Sequence, residues 1–237
     1  ESSSIQFPEP EIPPCEAWGT MEKLAREREV VGIYISGHPL DDFKIEMQNF
    51  CNGTVSSFQN LEQLINKEIT FGGVITDVEH RVSRQGKGWA SFTVEDYTDN
   101  YEFKIFGEEY LKFRHFLMLN NFVYVRSVVR DGWINRDTGK KSTPRLQFNG
   151  FQLLHDVINA YAKKLSVQLN IKSINKEKIS ELKELFKVYK GNQPLNFVIY
   201  DDEESIKLNL MSRKEKIKIT QQLLADLDSK QVFYKLN

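Results

Sequence analysis

From residue 69 onward, apolar and polar positions alternate with a period of two in segments 69 to 79, 89 to 95, 101 to 106, 122 to 130 and 145 to 154. These segments are rich in β-branched and aromatic residues and lie between turn signals, which predicts five strands. Between the third and fourth, Glu108 to Leu117 follows helical spacing with Tyr110, Leu111 and Leu117 as its inward residues. Five strands with one helix after the third is the order of an OB-fold, a Greek-key β-barrel whose strands 2 and 3 and flanking loops bind oligonucleotides in many members. Gly72 and Gly73 are expected to relieve the bend of a strongly coiled first strand.

Ahead of this region the period is that of helices. Residues 1–19 carry Pro8, Pro10, Pro13 and Pro14 among acidic residues and predict an extended lead-in. Residues 20–66 predict a small helical segment. Thr20 is the expected N-cap of a helix carrying Leu24, Val31 and Ile35, stopped by Gly37 and Pro39. Asp41 or Asp42 would cap a second with Phe43, Met47 and Phe50, and Ser57 would open a third through Leu61, Leu64 and Ile65.

Residues 67–154 are thus read as the OB domain and 155–164 as a helical connector. Residues 165–237 are read as an α+β domain of order βαββαβ, a ferredoxin-like sandwich. In that last part Leu165, Val167, Leu169 and Ile171 alternate as a strand. Ser173 or Asn175 caps a helix burying Ile179, Leu182, Leu185 and Phe186, which Gly191 ends. Leu195 to Tyr200 and Ile206 to Leu210 form a hairpin, with Ile206, Leu208 and Leu210 on the face opposite Lys207, Asn209 and Met211. Thr220 caps a helix through Leu223, Leu224 and Leu227, and Val232, Tyr234 and Leu236 alternate last. Leu169-Asn170 with Lys-Glu-Lys-Ile at 176–179 echoes Leu208-Asn209 with the same four residues at 214–217, a hint of duplication.

Composition narrows the classes. The 237 residues are 40% hydrophobic and 27% charged, an ordinary globular balance that excludes collagen-like and wholly disordered chains. The densest apolar run, Val30 to Ile35 with Gly32 inside it, is far too short for a membrane span. The opening Glu1-Ser2-Ser3-Ser4 has neither Met nor a leader, so the sequence reads as a piece of something longer. Cys15 and Cys51 form no CxxC or Cys/His cluster, which points to a reducing cytoplasm and to no zinc site. The net charge of -1 conceals an acidic first part, -7 over residues 1–66, followed by +2 over 67–154 and +4 over 155–237. That is mild for a nucleic-acid binder, so affinity must come from local clusters.

Candidate chemistry is sparse. The acidic pairs Asp41/Asp42, Glu95/Asp96, Asp201/Asp202 and Glu203/Glu204 sit where helix caps and turns account for them, and His38, His80, His115 and His155 are isolated. No catalytic residues, metal ligands or cofactor are expected. Two loops stand out instead. The first, from His80 to Trp89, combines Arg81, Arg84, Lys87 and Trp89; the second, between strands 4 and 5, combines Trp133, Arg136, Lys140, Lys141 and Arg145, with Lys104 on the third strand between them. Cations that track phosphates beside aromatics that stack on bases are the means of holding single-stranded nucleic acid.

The stretch Glu27-Arg28-Glu29-Val30-Val31-Gly32-Ile33-Tyr34-Ile35-Ser36-Gly37-His38-Pro39-Leu40 closely resembles the segment preceding the OB domain in the alpha subunit of bacterial DNA polymerase III. Gly86-Lys87-Gly88-Trp89-Ala90-Ser91-Phe92-Thr93-Val94-Glu95-Asp96 extends the resemblance, which covers residues 20–154. In that family the catalytic and N-terminal phosphoesterase-like domains come earlier, and none of their acidic motifs matches a position here. The resemblance therefore implies a non-catalytic C-terminal portion that contacts single-stranded template DNA through its OB domain. Partners so implied are the rest of the polymerase chain and the clamp-loader tau subunit at the C-terminal domain. A tRNA anticodon-type OB module and a protein-interaction barrel are the alternatives.

Overall fold

The computed structural model describes residues 18–32, 34–132, 141–201 and 203–237, and divides into two compact units, 1–41 and 42–237. In the first unit helix α1, Thr20–Val31, has Gly19 and not Thr20 at its N-cap. It stops before Ile35 because Gly32 turns left-handed at φ 82° and returns its N–H to the Arg28 carbonyl. Val31 and Ile35 are exposed, so the expected apolar stripe is reduced to buried Leu24. The Glu27 carboxylate accepts the backbone N–H groups of Ile35 and Ser36, each at 2.8 Å, and the Ser36 hydroxyl. The Ser36 hydroxyl, more than the amides, holds this acid below its ordinary range. Arg28 Nη1 donates to the Tyr34 hydroxyl at 2.8 Å, and the His38 N–H to Asp41 Oδ2 at 2.7 Å. Glu27, Arg28, Tyr34, Ser36 and His38 of the signature are thus engaged in shaping its own turn.

The second unit opens with helix α2, Lys44–Phe50, whose N-cap Phe43 offers no side-chain bond, so neither Asp41 nor Asp42 caps it. The expected third helix is two 3-10 turns, Val55–Gln59 and Leu61–Leu64. Thr54 caps the first, with Ser57 as the reciprocal member of its capping box.

Strands β1 (Glu68–Val82), β2 (Gly88–Glu95), β3 (Asn100–Phe106), β4 (Phe122–Arg130) and β5 (Arg145–Leu153) make one antiparallel sheet of order β3-β2-β1-β4-β5. The first half of β1 pairs with β4 and its second half with β2, the division falling at Val74. Here Gly73 does more than ease a bend. A Cβ on it would come within 2.6 Å of the Glu95 carbonyl oxygen. The inward positions of all five strands converge on one core, in which Phe71, Phe92, Phe103, Phe148 and Phe151 form a network of ring contacts. Val55 and Phe58, from the 3-10 turns, belong to the same core. Helix α3, Gly107–Phe113, buries Tyr110 and Phe113, and Leu117 follows it inward, whereas Leu111 faces solvent at 62% exposure. Tyr110 and Phe113, at i and i+3, define the buried face, and Leu111, next to Tyr110 in sequence, falls off it.

Helix α4 (Leu154–Tyr161) leads into β6 (Leu165–Asn170), α5 (Lys176–Val188), β7 (Lys190–Asp201), β8 (Ile206–Ile217), α6 (Gln221–Ser229) and β9 (Phe233–Leu236). Asn175 and Thr220 cap α5 and α6 as expected. The βαββαβ order of an α+β domain is present, with sheet order β8-β7-β6-β9. Its β-α-β unit is unsplit, since β6 and β7 are directly paired and parallel, whereas a ferredoxin-like sheet interleaves another strand between them. Leu165, Val167, Leu169, Leu195 and Leu236 meet Leu182, Leu185 and Phe186 of α5 and Leu223, Leu224 and Leu227 of α6 in a second core. Ile179 stays 42% exposed. Gly191 lies inside β7 and does not end α5. A Cβ there would strike the backbone of Ile217 and Lys218 at 2.5–2.7 Å, so its role is close approach of strands. Residues 176–179 open a helix while 214–217 close a strand, so the sequence echo is not a structural repeat.

Candidate nucleic-acid interface

The loop between β1 and β2 is shorter than its sequence implied. The strands run on to Val82 and from Gly88, and the Gly86 N–H bonds the Ser83 carbonyl at 2.9 Å with Gly86 at φ 74°, a tight turn closed by a left-handed glycine. Arg84 and Lys87 are exposed on this turn. Arg81 and Trp89 are strand residues, not loop residues, and are directly paired.

That pairing sets the site's geometry. On the outward face of β1, β2 and β3, the register lines up Arg81–Trp89–Phe106, then Glu79–Ser91–Lys104, then Asp77–Thr93–Glu102. The Trp89 and Phe106 rings stack with centroids 5.5 Å apart and planes at 21°, and the Arg81 guanidinium lies 5.5 Å from the Trp89 ring centroid. Trp89 is half-buried and Phe106 is 57% exposed. Trp89 is thus a ledge of the outer face, not part of the barrel core. Arg81 is ion-paired with Glu79, whose hydrogen bond raises the guanidinium's pKa while lowering that of the carboxyl. Lys104 lies 3.6 Å from Glu102. Such exposed pairs are worth about 0–1 kcal/mol, so an arriving phosphate can displace the carboxylates.

Beyond Phe106 the sheet is open between β3 and β5, and a groove of about 470 Å³ lies there, lined by Lys104, Phe106, Pro144 and Arg145 and by two carboxylates, Glu102 and Glu109, the latter accepting the Phe148 N–H. It brings Lys104 and Arg145 to one cleft beside the aromatic row. At the root of the β4–β5 connection Lys141 Nζ holds Asp131 Oδ1 at 2.8 Å, which lowers the Asp131 acid. Trp133, Arg136 and Lys140 lie outside the described residues. Phe106 is the residue that reading the sequence missed. The signal was available, since the alternation of Phe103 and Ile105 inward leaves Lys104 and Phe106 outward.

Several polar residues elsewhere serve the fold. Asp96 accepts the Val55 N–H at 2.8 Å and the Thr98 N–H at 2.7 Å, and Asp201 accepts the Glu203 N–H. His80 bridges the Tyr110 hydroxyl and the Leu117 carbonyl oxygen. Burial, with a smaller contribution from the Asp96 charge, pushes the Cys51 thiol up to about 12. Among the described residues no three His, Cys, Asp or Glu side chains gather as a metal site, and no helix is long and apolar enough to cross a membrane.

Residues 69–176 match the family model of the OB-fold nucleic acid binding domain, and residues 165–237 that of the DNA polymerase III alpha subunit, C-terminal domain. DNA polymerase III subunit alpha of Buchnera aphidicola is 25% identical over 86% of this chain and 17% of its own length. That of Mycobacterium tuberculosis is 26% identical over 77% of this chain and 15% of its own, and that of Campylobacter jejuni 33% identical over 40% and 8%. The chain therefore spans under a fifth of the length of these relatives. Among solved structures, RecG bound to a three-way DNA junction aligns at 16% identity with a TM-score of 0.26, over 61% of this chain and 19% of that one, too weak a likeness to bear on fold or function. With an OB-fold followed by that C-terminal domain, this chain is similar over most of its length to the C-terminal portion of DNA polymerase III alpha subunits.

Proposed function

We propose that this chain is the non-catalytic C-terminal part of a bacterial replicative DNA polymerase and that its OB domain holds single-stranded template DNA. The single observation that carries this reading is the Arg81–Trp89–Phe106 row, a cation and two aromatics in register on the outer face, continuing into the groove of Lys104 and Arg145. Phe106 offers an open ring for a base, Arg81 and Lys104 exchange carboxylate partners for phosphates, and Arg84 and Lys87 reach from the turn. The mild charge of the domain makes binding weak for the isolated chain. In an intact polymerase, tethering beside other DNA-contacting domains supplies effective concentration. The reading carries with it a cytoplasmic location, no bound cofactor, no nucleotidyl transfer by this part alone, and a contact of residues 165–237 with the clamp-loader tau subunit.

Fluorescence anisotropy with labelled single-stranded, duplex and tRNA ligands at several salt concentrations tests it. Single strands are expected to bind in preference to duplex, with a shallow salt slope. Replacing Arg81, Arg84 and Lys87 together by Ala is expected to weaken binding and flatten the slope by about 2, at roughly 0.7 per phosphate contact. Tighter binding of tRNA, or equal binding by the triple variant, overturns the reading.

A further inference from the structure

We propose that the open face of the C-terminal sheet is a second contact surface for single-stranded DNA, separate from the barrel. The buried residues of β6 and β9, with Leu195 of β7, alternate onto the side of α5 and α6, whereas Val198 of β7 is buried at the centre of the opposite face. The register then sets the opposite face as three rows: Phe233–Gln168–Val198–Asn209, Lys235–Ser166–Asn196–Met211, and Asn170–Tyr200–Lys207. None of these eleven side chains is a carboxylate, although the chain as a whole has Asp and Glu in excess of Lys and Arg, 33 against 32. Phe233 and Met211 are each 71% exposed, and Lys207, Asn209 and Lys235 are exposed beside them.

An apolar partner would want a continuous apolar face, and this one is interrupted in every row by amides, cations or a hydroxyl. A second copy of the chain would set Lys207 and Lys235 against their own kind. A polyanion with stackable bases fits the exposed part of this face: the two lysines take phosphates, Phe233 and Tyr200 take base faces, and the Asn209 and Gln168 amides pair with base edges. Strand spacing of about 4.8 Å and a rise of about 3.3 Å per residue put Phe233 and Tyr200 about 12 Å apart, so two bases can be stacked without crowding. That the strand is DNA rests on the function proposed above; that a single strand fits this face does not.

The full chain titrated with labelled oligo(dT) across salt concentrations tests it. Lys207→Ala with Lys235→Ala is expected to reduce the slope of log K against log salt by about 1.4, two contacts at about 0.7 each. Phe233→Ala is expected to weaken binding about tenfold, and Phe233→Trp to keep it. Lys176→Ala with Lys183→Ala removes the same charge from the helix side and is expected to change neither quantity. All five positions are exposed, so thermal melting should show each variant folded. Unchanged slope and affinity in the Lys207/Lys235 and Phe233 variants would leave the face to a protein partner and overturn the inference, whatever Arg81 variants do. An equal loss in the helix-side control overturns the placement, and tighter binding of oligo(rU) through the same residues overturns the assignment to DNA.

Discussion

Glu46 sits on α2 with 1% of its surface exposed, and its Oε2 finds no hydrogen-bond partner among the described residues. Burial raises its acid above the ordinary value of 4.5. The unfolded chain releases this proton near the ordinary value while the folded chain retains it, so stability is full below 4.5 and is lost as pH rises through the higher folded value. Glu46→Gln is therefore expected to be no more stable than the unmodified chain at pH 4 and more stable at pH 8, read by urea denaturation. A parallel pH dependence in both proteins would contradict this. The sequence shows one apolar stripe here, Phe43, Met47 and Phe50. It does not show that α2 is covered on two sides, with Met47 against Gly72 of the barrel and Ile45 and Phe50 against the second core. Helical periodicity marks a face that must be buried; it cannot mark a polar position that tertiary contact buries as well.

At the level of elements, the strands were legible because period-two alternation is local, and each expected strand is present, several of them longer than the pattern implied. The extensions of β1, β7 and β8 run mostly through exposed or half-buried residues, where ladder hydrogen bonds continue although side-chain burial supplies no regular pattern, until β8 returns to the core at Ile217. On β8 the alternation holds, yet Ile206, Leu208 and Leu210 remain 61%, 51% and 42% exposed because the edge lies beyond the helices. The 3-10 turns were not legible as such, since a five-residue turn has too few positions to show a period. Phe58 on the first of them packs at 4.7 Å from Phe71 and 5.1 Å from Phe103, ring centre to ring centre, with 1% exposure. Phe58→Ala is expected to cost the barrel about 3–5 kcal/mol, as loss of a fully buried ring does. A loss under about 1 kcal/mol in chemical denaturation would mean that this turn is not part of the barrel core.

For the whole molecule, two separate cores and two open faces follow from the same alternation, and the resemblance to a polymerase C-terminal portion was legible from a short signature whose own residues do structural work. Half of the candidate interface was legible as loop composition. The other half, the row across three strands, depends on register, which joins residues 81, 89 and 106 only once the hairpins are formed. Phe106→Ala isolates the single-strand site, because an exposed ring can be removed without opening a cavity. Anisotropy titration with oligo(dT) is expected to show roughly tenfold weaker binding, about 1.4 kcal/mol for one lost stack, with the melting temperature unchanged. Equal affinity in the folded variant would contradict the assignment of this face as the single-strand site.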